Sequence, residues 1–112
     1  MESRMKLLTF VGTALADLKD FPEDARREAG YQLNRVQNGL DPKDWKPMPS
    51  VGPGVREVRI REESGAHRIF YVAHVGNQVY VLHAFTKKTQ KTPLSDIHIG
   101  KVRYRAVCFL DT

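Results

Sequence analysis

Three predominantly apolar runs follow one another along the chain, 55–61, 67–75 and 78–85. β-Branched and aromatic residues dominate each run. The breaks between them, Glu62-Glu63-Ser64-Gly65-Ala66 and Gly76-Asn77, are polar and hold glycine or asparagine. This pattern predicts an antiparallel meander, and Gly76-Asn77 is short enough for a two-residue hairpin turn. Side chains alternate across a strand, so Val58 and Ile60 share one face while Glu57, Arg59 and Arg61 share the other. On the second strand Arg68, Phe70 and Val72 oppose Ile69, Tyr71 and Ala73. On the third, His83 and Phe85 oppose Leu82 and Ala84. The middle strand is apolar on both sides. One face is therefore expected to meet helices, and the other to form a cleft of mixed aromatic and cationic character.

Upstream the pattern changes. Residues 5–10 are apolar and short enough for an edge strand. Val11, Ala14, Leu15 and Leu18 then recur on one helical face. Asp20-Phe21-Pro22 breaks that helix, and Pro22 suits the first position of a second one, with Glu23 and Asp24 at its positive end. The second helix presents Ala25, Ala29, Leu33, Val36 and Leu40 on one side and Arg26, Arg27 and Arg35 on the other; Gly39 is its expected stop. The two helices read as a hairpin covering one face of the sheet. Residues 41–54 carry four prolines, which predicts an ordered loop without regular structure. Within it, Trp45 either pins the loop to the core or stacks on a base. After the sheet, Thr92-Pro93 reads as an N-cap and first helical position. Leu94, Ile97, Tyr104 and Cys108 fall on one side of that last helix, and Gly100 weakens it by roughly 1 kcal/mol relative to alanine. There are no repeats, low-complexity tracts or linkers. The pattern predicts one α+β domain over residues 1–112.

Composition narrows the function. A chain of 112 residues with 41% hydrophobic and 28% charged residues is ordinary for a soluble globular protein. The formal net charge of +5 suggests a polyanion or an acidic protein as partner, or a contribution to solubility alone. The single cysteine, Cys108, excludes an internal disulfide. Cys/His metal spacing is absent, and His67, His74, His83 and His98 are scattered, so neither metal nor cofactor is expected. No stretch is long and apolar enough to span a bilayer. Only a short apolar run follows the first residues, so a signal peptide is not expected and the cytoplasm is the expected compartment.

The chemistry gathers where the third run ends, at Lys87-Lys88, with Lys91 extending the patch. Cations neutralise phosphates and aromatics stack on unpaired bases. RNA can be cleaved without metal by its own 2′-hydroxyl if the protein orients the attack, stabilises the phosphorane and moves protons. Arg59 and Arg68 suit the second task, because a guanidinium binds two phosphate oxygens and stays charged; the alternative is an ion pair with Glu57. Lys87 and Lys88 would add to the same charge, or form a solvated run. His83 is either a general acid or base or a packed, hydrogen-bonded residue. Glu57 serves as a base only if no arginine holds it. Arg56, Lys91, Trp45 and Phe85 complete the expected RNA contacts.

Several segments carry a resemblance: Asp17-Leu18, Phe21-Pro22, Arg26, Gly30, Leu33, Gln37 and Gly39; Trp45-Lys46-Pro47-Met48-Pro49; Gly52-Pro53-Gly54-Val55-Arg56-Glu57-Val58-Arg59-Ile60; His67-Arg68-Ile69-Phe70-Tyr71; and Tyr80-Val81-Leu82-His83-Ala84-Phe85-Thr86-Lys87-Lys88-Thr89. Together they resemble the phage-derived HigB-like branch of the RelE/ParE toxin superfamily over almost the whole chain. The resemblance implies a RelE-like antiparallel sheet packed on two N-terminal helices, with a C-terminal helix. It implies a type II toxin that cleaves mRNA, often in the ribosomal A site, and a small helix-turn-helix antitoxin as partner. It also implies roles for Arg59, Arg68, His83, Lys87 and Lys88 in the reaction. Two departures stand out. Where RelE-type toxins often carry a catalytic tyrosine, Tyr104 is expected to pack in the core, and Asp111 lacks the neighbouring histidine some HigB toxins use. A ParE-like inhibitor of DNA gyrase and an inert RNA-binding domain are the alternative readings.

Overall fold

The computed structural model describes residues 5–110. In chain order the elements are β1 (Leu7–Phe10), α1 (Ala14–Lys19), α2 (Glu23–Gln37), β2 (Trp45–Pro47), β3 (Arg56–Glu62), β4 (Gly65–Val75), β5 (Gln78–Lys87) and α3 (Leu94–Leu110). They build the expected α+β architecture around one five-stranded sheet of order β1-β5-β4-β3-β2. The meander β3–β4–β5 is antiparallel as predicted, but β1 runs parallel to β5, so the sheet is mixed. The β4–β5 turn is the two-residue Gly76-Asn77, with a positive φ only at Gly76 (57°). That is the backbone of a type II′ turn, whose first position favours glycine.

Each face of the sheet has its own core. On one side Val58, Ile60, Ile69, Tyr71, Val79, Val81 and Ala84 meet Ala14, Ala25, Ala29, Leu33 and Val36 of the two N-terminal helices and Phe21 of the turn between them. The stop after α2 is built as expected. Gly39 takes φ 81°, its N–H donates to Val36 O, and Leu40 N–H donates to Arg35 O. This pair of bonds is a Schellman motif. Leu40 lies beyond it and is half exposed, not on the buried stripe. Pro22 sits one position earlier than predicted, as the N-cap. Likewise α1 is shorter than its apolar pattern. Val11 belongs to the opposite core, because Gly12 (φ 60°) turns the chain between β1 and α1, and Leu15 is exposed.

The second face packs Phe70, Val72, Leu82 and Phe85 against Met48, Val51 and Val55 of the proline-rich segment and against Ile97, Tyr104 and Val107 of α3. Leu82 was expected on the other side. A register shift between Phe70 and Tyr71 pairs Phe70 with His83 but Tyr71 with Val81, so Leu82 and His83 both face this core. The segment 41–54 holds a three-residue strand after all. Trp45–Pro47 pairs with β3 at the sheet edge, where a proline costs no ladder bond on its outer side. Met48 and Val51 pin this loop to the core, the task expected of Trp45. The glycines in this layer have a packing reason. A Cβ on Gly100 would lie 2.9 Å from both Phe70 and Val51, and one on Gly52 would lie 2.6 Å from the Tyr104 ring. Tyr104 packs there as expected and donates its hydroxyl to Pro53 O (2.9 Å). Leu94 (83% exposed) and Cys108 face solvent instead.

A polar chain centred on the buried His67 ties the helical layer to the sheet. Ser64 donates to Asp24 Oδ1 (2.8 Å), which leaves its oxygen to accept from His67 Nε2 (2.9 Å); His67 Nδ1 then accepts from Thr86 (3.0 Å). These partners fit a neutral imidazole. Burial, helped by Arg68, pushes the His67 pKa below its ordinary 6.5 against the pull of Asp24 and Glu62. The unfolded chain thus binds a proton first as pH falls, so stability is complete above pH 6.5 and declines below it. Urea unfolding of the protein between pH 7.5 and 5 is expected to show this decline, and His67→Gln to flatten it. Parallel curves for the two would exclude His67 as its source.

Candidate nucleic-acid interface

Strand register places the predicted residues in rows across the second face. Lys46, Glu57, Phe70 and His83 form one row, Arg59, Arg68 and Phe85 the next, and Arg61, Ala66 and Lys87 the third. The α3 layer covers the first row; in the other two Arg68 and Phe85 are buried, while Arg59, Arg61 and Lys87 keep exposed surface. There Arg59, Arg61, Arg68, Lys87 and Lys88 line one hollow of about 490 Å³ together with Thr89 and Gln90.

Arg59 and Arg68 stand directly opposite one another on β3 and β4. Like charges so placed repel. Arg68 is only 2% exposed and reaches Glu57, which is fully buried, across 3.6 Å; Lys46 lies 3.9 Å from the same carboxylate oxygen. Burial first, then Arg59 and Arg61, pulls the Arg68 pKa down against Glu57. The Lys87 pKa is also lowered, by burial, then by Arg68, with Lys46 and Arg59 adding to it and Glu57 opposing it. Among the described residues, the buried side-chain atoms without a hydrogen-bond partner are Glu57 Oε1, Arg59 Nε, Arg68 Nε and His83 Nδ1. All four lie in two adjacent rows of this face. Crowded cations with unspent donors are a site suited to a polyanion.

Several expected contacts are placed elsewhere. Glu57 is held by Arg68 and Lys46, and its Oε2 accepts from Thr92 (3.1 Å), so it orients cations and is not a free base. Thr92 spends its hydroxyl on that bond rather than capping α3; the Pro93 carbonyl accepts the first helical bonds, from Asp96 and Ile97. His83 lies beneath α3, stacked on Phe85 (5.0 Å), with Nε2 bonded to Asp96 Oδ1 (2.7 Å); it does not line the hollow. Phe85 is buried and offers no platform for a base. Lys91 is exposed outside the hollow. Arg56 and Trp45 are on the opposite face, stacked on one another at 3.8 Å, with Arg56 paired to Asp41 (2.7 Å). Asp111 lies outside the described residues. Sequence reasoning missed Arg61, Lys46, Asp96 and Thr92 as parts of the site. Only Arg61 had a local signal, its parity with Arg59; the others arrive from distant segments.

Fold and site define a class: a small basic α+β protein with a cation-lined hollow on one face of its sheet. The chain belongs to the family described as Phage derived protein Gp49-like (DUF891), whose model matches residues 16–105. This is a RelE/HigB-like toxin family, associated with toxins of toxin–antitoxin pairs, and membership implies an antitoxin as partner. A search of curated proteins found no match to the chain. No helix among the described residues is long and apolar enough to cross a membrane.

Proposed function

We propose that the protein is the toxin of a type II toxin–antitoxin pair and an endoribonuclease that cuts mRNA, engaged in the ribosomal A site, with a helix-turn-helix antitoxin as its neutralising partner. The observation that carries this reading is the shared hollow: five cations converge on a volume that accepts a phosphodiester and its flanking riboses. The 2′-hydroxyl gives its proton to solvent water as its oxygen attacks the adjacent phosphorus, the phosphorane forms between Arg59 and Arg68, and the P–O5′ bond then breaks, leaving a 2′,3′-cyclic phosphate while the 5′-oxygen departs with a proton. Lys87 is the proposed donor of that proton. It lines the hollow, and its lowered pKa makes it a better acid than an ordinary lysine. Lys88 and Arg61 hold the neighbouring phosphates. His83, fixed by Asp96, supports Phe85 and so the floor beneath Arg68.

Expression of the protein alone is expected to arrest growth and to create new mRNA 5′ ends phased with codons on translated messages. Arrest with intact transcripts and broken DNA would replace this reading by gyrase inhibition. Unimpaired growth would leave an inert RNA-binding domain.

A further inference from the structure

Arg56 and Trp45 are displaced from the cationic hollow, yet they are built into a second recess on the opposite side of the sheet. A cavity of about 300 Å³ lies between the end of α2, the start of β3 and the later part of β4, lined by Lys6, Val36, Leu40, Arg56, Tyr71 and Ala73 among others. Next to it a smaller hollow of about 210 Å³ is walled by Trp45, Pro47 and Pro49. The two share Gly54 and Arg56, so they form one groove with a guanidinium at its middle.

The groove is preorganised. The Arg56 guanidinium is fixed face-on to Trp45 (3.8 Å) and edge-on to Asp41 (2.7 Å). Lys6 Nζ is held by the Ala73 carbonyl (2.9 Å). Burial pushes the Tyr71 phenol above its ordinary pKa, so it stays protonated and can donate. Gly39 and Gly54, at φ 81° and 80°, border the cavity, and a Cβ at Gly39 would meet nothing within 4 Å. The walls are apolar at Val36, Leu40, Trp45 and the two prolines, while two cations against the one carboxylate of Asp41 leave the groove net positive.

We propose that this groove docks an extended, acidic and apolar segment of the partner protein: a carboxylate of that segment sits between Lys6 and Arg56, and its apolar side chains lie on Trp45 with Pro47 and on Leu40 with Val36. Continuity of the two hollows favours an extended chain over a compact small molecule, because one end alone lacks either the lysine or the aromatic wall. The inference rests on the partner half of the reading above and not on its nuclease half. It also separates the two surfaces: the segment binds behind the sheet while the cationic hollow stays open.

The test is selection of a displayed library of random dodecapeptides on the intact protein, followed by titration of the winners. Trp45 is the sole tryptophan, so its fluorescence reports binding at the groove. Winners are expected to combine Asp or Glu with Leu or aromatic residues and to perturb Trp45. Each is expected to lose roughly tenfold or more in affinity with Lys6→Gln and with Arg56→Gln, the scale of one charged hydrogen bond, and to bind Lys87→Gln normally. A short RNA oligomer should neither displace them nor alter Trp45. Absence of enrichment, winners without acidic residues, full affinity in both groove variants, or displacement by RNA would overturn the proposal. Loss of RNA cleavage in Lys87→Gln bears on the nuclease reading alone, so the two can fail separately.

Discussion

Arg68→Ala is expected to cost about 3–5 kcal/mol of stability, because it strips a fully buried carboxylate of its nearest cation. Glu57 would keep only Lys46 at 3.9 Å and the Thr92 hydroxyl at 3.1 Å. A domain of this size has roughly 5–15 kcal/mol in all, so much of its stability would go. Glu57→Ala should cost a similar amount, since Arg68 is then buried against Arg59 with no carboxylate at hand and only the His67 carbonyl (3.1 Å) as partner. The two losses should not add. Removing both charges with residues of similar volume, Arg68→Met with Glu57→Leu, is expected to recover much of what either alanine loses. Urea denaturation of the four proteins measures this. If Arg68→Ala unfolds at the wild-type midpoint, the pair is not what holds this row together. An inactive Arg68→Ala would therefore say little about chemistry, and activity is better probed at the rim of the hollow.

There the expected effect is on rate. Arg59→Ala and Lys87→Ala should each slow single-turnover cleavage of ribosome-bound mRNA by about 10²–10³-fold, the usual loss when one donor to a developing anion is removed. Both side chains are only partly buried, and Arg59 has a distant partner, Asp44 at 4.0 Å. Thermal midpoints should accordingly move little. The double variant should lose less than the product of the two, because both groups act on one phosphate. Lys87→Arg separates charge from proton donation. It should keep affinity for RNA but lose rate, since guanidinium holds its proton too firmly. In the native protein, activity should fall at alkaline pH before an ordinary lysine would titrate, because burial and Arg68 lower the Lys87 pKa. Native rates in both single variants would remove the hollow from the reaction.

Much of this could be read from the chain because strand parity is a local property. The parity that puts Val58 and Ile60 on the helical side puts Arg59 opposite them, and register then brings Arg68 alongside. The same counting separates Arg56 from Arg59, a signal that charge and proximity in sequence obscured. Other features had no local mark. The register shift that turns Leu82 over arises from how two strands pair, and nothing in the run 78–85 announces it. Thr92 looked like part of a helix start and Asp96 carried no signal, because their partners Glu57 and His83 lie on other elements. The parallel course of β1 depends on a contact with β5, 71 residues apart at Leu7 and Gln78. Apolar pattern specified the layers; the polar clasps between them are products of tertiary packing.

The order of the elements along the chain has a bearing on how the protein is made. All five strands precede α3, the helix that seals Phe70 and Leu82 and supplies the partner of His83. During synthesis the nascent sheet must wait with that apolar side wet, a state attractive to chaperones and prone to self-association. The final helix thus acts as a keystone, completing the hydrophobic closure and the setting of the polar rows in one late event.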